Sequence, residues 1–360
     1  MYDKLKKEYS NPVYKVPWLL KDKKPTDYFA SWLCVEKDKE VTLSLRVQLK
    51  DKKNLPKELV IAYDKTLCEI STKQGKGTEN EKADPAKNTH YAKITIDKDD
   101  DYKLEDEVKI KVIKDINTAQ TIKVLCDDKE AGFLKLYPNI VKKLNVVCVK
   151  VNASIRNKNE NTGIIKGKSN LEIYLLESLI KINISEEITL KITLNSDKTP
   201  NTDLRLPTVT DGTSINMSGN IRGTKFSDYM DSKLKQKFPM PDGSGKYDKY
   251  LRLYFFKEKA FIVDKGNNVP IARIGTPIGG ERGFMFDGIS DIDVAHEAMH
   301  AIALGHAFGK NENINATTPY LYEYMRTENV MDYANLDHKE KYATWKWQWD
   351  KLRNSKLLTE

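Results

Sequence analysis

Between residues 30 and 140 the apolar side chains return at every second position, and that habit leaves little choice of fold. Val41, Leu43, Leu45, Val47 and Leu49 alternate with polar residues. Ala92, Ile94 and Ile96 repeat the pattern, as do Val108, Ile110 and Val112, and then Ile122 and Val124. A period of two puts the apolar side chains of a strand on one face, whereas a helix needs a period near 3.6. Turn-rich stretches separate the runs: Asp51-Lys-Lys-Asn, Lys73-Gln-Gly-Lys-Gly and Asp99-Asp-Asp. Short strands at this spacing predict an antiparallel β-sandwich-like domain over residues 26–140. Residues 1–25 are mixed and Pro-containing, and form an N-terminal segment with no assigned element.

The texture changes near residue 140. Leu144-Asn-Val-Val-Cys-Val-Lys-Val151 is a nearly continuous apolar run, the mark of a strand buried on both faces. Leu171, Leu175, Leu179 and Ile182 then fall at helical spacing, with Ser169 or Asn170 as the cap and Ile173, Leu176 and Ile180 widening the apolar face. Ile188-Thr-Leu-Lys-Ile predicts a strand, 196–222 a loop, Ser227–Phe238 a helix and Tyr250–Phe256 a buried strand. A last helix carries Tyr342, Trp345, Trp349 and Leu352 along one packing face. The chain therefore reads as α+β and multidomain, with an α/β domain over 141–360. It holds no internal repeat.

Composition narrows the function classes. Lys+Arg is 60 against 52 for Asp+Glu, a net charge of +8 spread among acidic residues. That pattern suits a solvated surface better than a nucleic-acid interface, so no nucleic-acid partner is expected. No stretch approaches the roughly 18 apolar residues of a membrane span. Met-Tyr-Asp-Lys-Leu-Lys-Lys-Glu carries no apolar run, so no secretory signal is expected there. The chain then stays in its cell, leaves by a route without such a signal, or had one trimmed. Cys34, Cys68, Cys126 and Cys148 sit in no CxxC and read as apolar thiols, with a disulfide or two open if the chain is exported. Asp97–Asp101 lacks the Gly and the Glu of a calcium loop and reads as a solvated turn.

Only five histidines are present, at 90, 296, 300, 306 and 338, and four fall near the C-terminus. His296-Glu297-Ala-Met-His300 lies in a helical context that Asp291 or Asp293 can cap. On a helix, His296 and His300 stand one turn apart and present both rings to one side. Zinc accepts two such nitrogens at about 2.0–2.1 Å. Glu297 can approach a bound water without being a ligand, which suits a general base. His306, six residues after His300, becomes a third ligand if the chain turns sharply. Three nitrogen ligands leave a coordination position open, as catalytic sites do. Glu323, Glu328 and Asp332 are the candidates for an acidic third ligand in a rival scheme, and His90 and His338 read as surface residues.

The segment 296–306 resembles the zinc motif of the metzincin metallopeptidases, H-E-x-x-H-x-x-G-x-x-H. Asn329-Val-Met331-Asp-Tyr333 resembles the family's Met-turn, and the likeness spans 141–360. The resemblance implies a Zn2+ held by His296, His300 and His306, Met331 beneath the ligands, and Tyr333 near the metal or the oxyanion. It implies a zinc endopeptidase that hydrolyses a peptide bond with a zinc-activated water and Glu297 as general base. The family's Gly is Ala303 here, so the chain either leaves the helix at Ala303 with φ > 0, at roughly 1 kcal/mol, or runs on to turn at Gly305. With Trp345-Lys-Trp-Gln-Trp349, the pattern is also similar to bacterial metallopeptidase effectors delivered by contact-dependent secretion machines. The partners implied are a protein or peptide substrate and, through the β-rich half, export machinery or a target surface. The alternative function is a catalytically inactive zinc-containing binding or adhesion module.

Overall fold

The structure is a computed structural model. It describes residues 10–21, 24–29, 31–49, 55–79, 88–96, 101–127, 129–155, 158–194, 208–209, 214–217, 224–271, 273–275, 278–308, 324–325, 327–333, 341 and 343–360. The turns expected at 51–54 and 97–100, and Glu323, His338 and Tyr342, lie outside the described residues. The chain is mixed α+β and mostly sheet, and divides into two compact units, Met1–Val141 and Lys142–Glu360. The change in texture places the boundary near 140.

In the first unit, strands Glu40–Val47, Tyr102–Val112, Cys68–Thr72 and Gly75–Lys76 form one sheet. Six strands form another, in the order Ser31–Leu33, Lys129–Leu136, Gln120–Cys126, Glu58–Asp64, Thr89–Thr95, Thr78–Glu79. All the pairings are antiparallel except that of Ser31–Leu33 with Lys129–Leu136. Val47, Ile70 and Ile110 of the first sheet share one core with Ile61, Ala92, Ile94 and Ile122 of the second. The alternation seen in the sequence is this shared core. Two differences stand out. Ser10–Lys21 and Lys24–Phe29 pair as antiparallel strands in a segment whose sequence carries no clean period. His90 is half-buried rather than on the surface, because it pairs with Tyr63 in the ladder and sets its ring edge-on to that phenol at 6.0 Å.

In the second unit, Lys142–Ile155 is the central strand. It runs parallel to Ile180–Leu194 along one side. On the other it pairs in turn with Leu358–Thr359, Leu251–Phe255 and Lys158–Thr162. Arg282–Met285 continues the sheet in parallel, and Arg273–Gly275 closes that edge antiparallel. Leu144, Val146 and Cys148 face one core, and Val147, Val149, Val151 and Ala153 face the other. Two-sided burial is why the run is apolar at both parities. Helices α1 (Lys168–Leu176) and α3 (Asp291–Ile302) fill the first core, and α2 (Thr224–Lys237) packs Phe226, Met230 and Leu234 into the second. Helix α4 (Lys346–Arg353) adds Leu352 to the first core.

Several helical expectations need correction. Helix α1 stops at Leu176; Leu179 takes φ 53, and Ile180 and Ile182 belong to the next strand. The apolar period continues across this turn because strand and helix share one core. Ile173 and Leu176 are exposed. The cap of α1 is Gly167, with φ 70, not Ser169 or Asn170. Within the expected loop 196–222, Thr208–Val209 and Ser214–Asn216 pair as strands, with Ile215 buried. On α4, Trp347 and Gln348 are buried with Leu352, whereas Trp345 and Trp349 are half-buried, so the packing face is rotated from the aromatic stripe. None of the four cysteines is in a disulfide, and burial pushes the Cys68 thiol up to about 12 and the Cys148 thiol up to about 11. Among the described residues no helix is long and apolar enough to cross a membrane.

Gly167 joins α1 to the histidine helix. A Cβ there would stand 2.6 Å from Val294 Cβ and 2.7 Å from the Asp291 carbonyl oxygen, both in the first turn of α3. Gly167→Ala therefore combines left-handed strain of about 1–2 kcal/mol with overpacking of about 1–3 kcal/mol. Chemical denaturation is expected to register a loss of about 2–5 kcal/mol. A loss below about 0.5 kcal/mol would mean that α1 and α3 do not meet this closely.

Glu258, after Leu251–Phe255, is buried, and no well-aligned hydrogen bond reaches either carboxylate oxygen. Burial pushes its carboxyl from 4.5 up to about 7, and Asp287 adds to the rise. The folded protein holds this proton more tightly than the unfolded chain. Its contribution to stability is thus fully present below pH 4.5 and lost as the pH rises through about 7. Relative to wild type, Glu258→Gln is expected to gain on the order of 2 kcal/mol between pH 4.5 and pH 8. Urea midpoints at the two values check this, and parallel curves would contradict it.

Candidate metal centre

Helix α3 begins at Ser290, whose hydroxyl accepts the Asp293 N–H at 3.2 Å and donates to Asp293 Oδ2 at 2.7 Å. Neither Asp291 nor Asp293 is the cap. Val294, Ala295, Ala298, Met299, Ala301 and Ile302 anchor α3 in the core. That packing fixes the face on which His296, Glu297 and His300 stand, all three of them buried.

The helix ends at Ile302. The N–H groups of Ala303 and Leu304 both reach the Met299 carbonyl, at 3.0 and 2.9 Å. Ala303 has φ −174 and ψ −11, outside the left-handed region that favours glycine. Neither expected exit is used, since no positive φ occurs at Ala303 or at Gly305. The exit thus avoids the left-handed conformation for which a Gly would be needed, and the chain still turns back to present His306.

The three imidazoles converge. His300 Nε2 lies 3.0 Å from His296 Nε2 and 3.1 Å from His306 Nε2. His296 Nδ1 lies 2.8 Å from the Val330 carbonyl oxygen, and His300 Nδ1 lies 2.6 Å from that of Leu304. A carbonyl oxygen only accepts, so both Nδ1 atoms carry the proton and donate it. Burial holds His296 well below its ordinary value and takes His300 down to about 3, with the neighbouring histidines adding to both shifts. The rings are therefore neutral, and the Nε2 lone pairs of His296 and His300 face each other at 3.0 Å. Two lone pairs at that distance repel unless a cation lies between them. Nitrogens on a tetrahedral ion stand about 3.3 Å apart. The group can hold a metal: its ligand atoms all lie within 4.8 Å of one another. The carbonyls of Val330 and Leu304 supply the outer contacts that fix tautomer and ring orientation at such centres.

Glu297 projects beside the histidines. Burial pushes its carboxyl up to about 7, opposed by Arg273, whose Nε lies 2.7 Å from Glu297 Oε1. Met331 is fully buried, within the core cluster that contains Met299. Its turn is built from side chains. Asn329 Oδ1 accepts the Met331 N–H at 2.9 Å, and Asn329 Nδ2 donates to Gln348 Oε1 at 2.7 Å. Gln348 Nε2 donates back to Asn329 Oδ1 at 3.0 Å. The same turn delivers the Val330 carbonyl to His296. Tyr333 sets its ring 4.9 Å from that of His306 and 5.7 Å from that of His296. Phe308 stacks on His306 at 4.7 Å.

Asp332, a candidate in the rival ligand scheme, is committed elsewhere. Its carboxylate accepts the N–H groups of Met325, Thr327 and Tyr333 and the Thr327 hydroxyl. It shapes the loop below the histidines. His296, Glu297, His300, His306, Met331 and Tyr333 thus come together. Arg273 and the Asn329–Gln348 clasp escaped the sequence reading, because each joins elements distant along the chain and no local spacing marks them. No protein-family model and no curated protein matches the chain, so the site stands on its own geometry.

Proposed function

We propose that residues 141–360 form a metzincin-like zinc peptidase domain, and that the chain is a zinc-dependent endopeptidase. The observation that carries the reading is the convergence of three Nε2 atoms, two of them tautomerically fixed by backbone carbonyls, beside a buried carboxylate. Zinc held by His296, His300 and His306 would supply a Lewis acid and lower the pKa of a water toward about 7. Glu297 accepts the water's proton on a carboxylate oxygen and later passes it to the leaving amine. Tyr333, against the rings of His296 and His306, donates its phenol proton to the oxyanion. Met331 and the Asn329–Gln348 clasp keep the floor of the site rigid. Three nitrogen ligands favour a catalytic over a structural role, since they leave a position open.

The test is digestion of a denatured protein by the zinc-loaded chain, set against the same sample stripped with a chelator. Cleavage that ends on stripping and returns with zinc supports the reading. Cleavage indifferent to the chelator rejects it.

A further inference from the structure

Arg273 stands on the edge strand Arg273–Gly275, across from helix α3. Its guanidinium grips two carboxylates of that helix: Nε holds Glu297 Oε1 at 2.7 Å, and Nη1 pairs with Asp293 Oδ1. Asp293 and Glu297 are four residues apart, so they neighbour each other on one helix face. The Ser290 hydroxyl holds the other Asp293 oxygen at 2.7 Å. The guanidinium carbon also lies 5.6 Å from the centroid of the Tyr333 ring. Arg273 thereby touches both residues assigned to proton transfer and oxyanion contact.

The last torsion of a Glu side chain is a broad, two-fold rotor. A base works only when its lone pair is aimed within hydrogen-bond reach of the proton it takes. An ion pair to Oε1 stops that rotor. A planar fork anchored on a second carboxylate stops it in one orientation, which the point charge of a Lys does not do.

We propose that Arg273 is a positioning residue: by clamping Glu297 Oε1 against Asp293, it fixes the rotation of the Glu297 carboxylate and leaves Oε2 to accept a proton. The inference rests on the zinc-site reading above and adds to it a residue that acts through Glu297. A mere tie between the edge strand and α3 through Asp293 would be indifferent to what stands at position 297.

A double-mutant cycle separates the two roles. The full chain is loaded with cobalt(II), and acetohydroxamic acid is titrated against the cobalt absorbance. This probe chelates the ion with its two oxygens and donates hydrogen bonds to a neighbouring carboxylate. Arg273→Ala is expected to keep one cobalt per chain and weaken the probe about 10-fold. In a Glu297→Gln background the same substitution is expected to change affinity less than about twofold. Asp293→Asn, which loosens the clamp without altering the edge strand, is expected to weaken the probe by a smaller factor, and only when Glu297 is present. Equal weakening in both backgrounds, or none in either, overturns the proposal. A wild-type chain that takes up no cobalt overturns the zinc-site reading and this inference with it, whereas cobalt uptake without coupling overturns this inference alone.

Discussion

Zinc at about a hundred times its dissociation constant is expected to stabilise the Lys142–Glu360 unit by about 2.7 kcal/mol, and His300→Ala to abolish that gain. The reason lies in the geometry of the site. Its central pair presents lone pair to lone pair at 3.0 Å, and His300 belongs to both close contacts. An ion that takes up these three lone pairs binds the folded state and not the unfolded chain. Removing the shared imidazole leaves two histidines that offer no comparable site. Calorimetry of the full chain reads the effect as a shift in one transition. If zinc stabilises His300→Ala as much as wild type, the ion binds elsewhere, and the lone-pair account of this cluster fails.

Glu297→Ala is expected to bind zinc as wild type does and to lower turnover by about 10²–10⁴-fold, the span of general acid–base catalysis. Glu297 is not among the three converging ligands. It is buried beside them, paired with Arg273, and its carboxyl is pushed up to about 7. A group that gains and returns a proton near neutral pH would serve both halves of the proposed hydrolysis. Metal content measured on the same samples separates a lost base from a lost ion. A Glu297→Ala chain that holds zinc and still turns over at the wild-type rate would remove Glu297 from the mechanism.

The sandwich core was legible because strand periodicity is local: Val108, Ile110 and Val112 announce their face without help from the rest of the chain. The central strand was legible because two-sided burial demands apolar residues at both parities. The histidine helix was legible because His296 and His300 share a face by spacing alone. What escaped depended on long-range contacts. Helix α1 read too long because Leu179, in the turn, and Ile182, in the following strand, continue its apolar spacing. The exit at Ala303 read as left-handed because no sequence rule reveals that its φ is −174. The Nδ1–H tautomer of His296 hangs on the Val330 carbonyl, 34 residues away. Arg273 reaches Glu297 from an edge strand, and a single Arg carries no local signal.

The central claim, that this centre hydrolyses peptide bonds, meets its most direct test in a peptide-library digest read by mass spectrometry, with the wild-type chain carrying one zinc. The expected result is a defined set of new termini that disappears when the metal is chelated. One zinc per chain with no peptide bond cut anywhere in the library would contradict it.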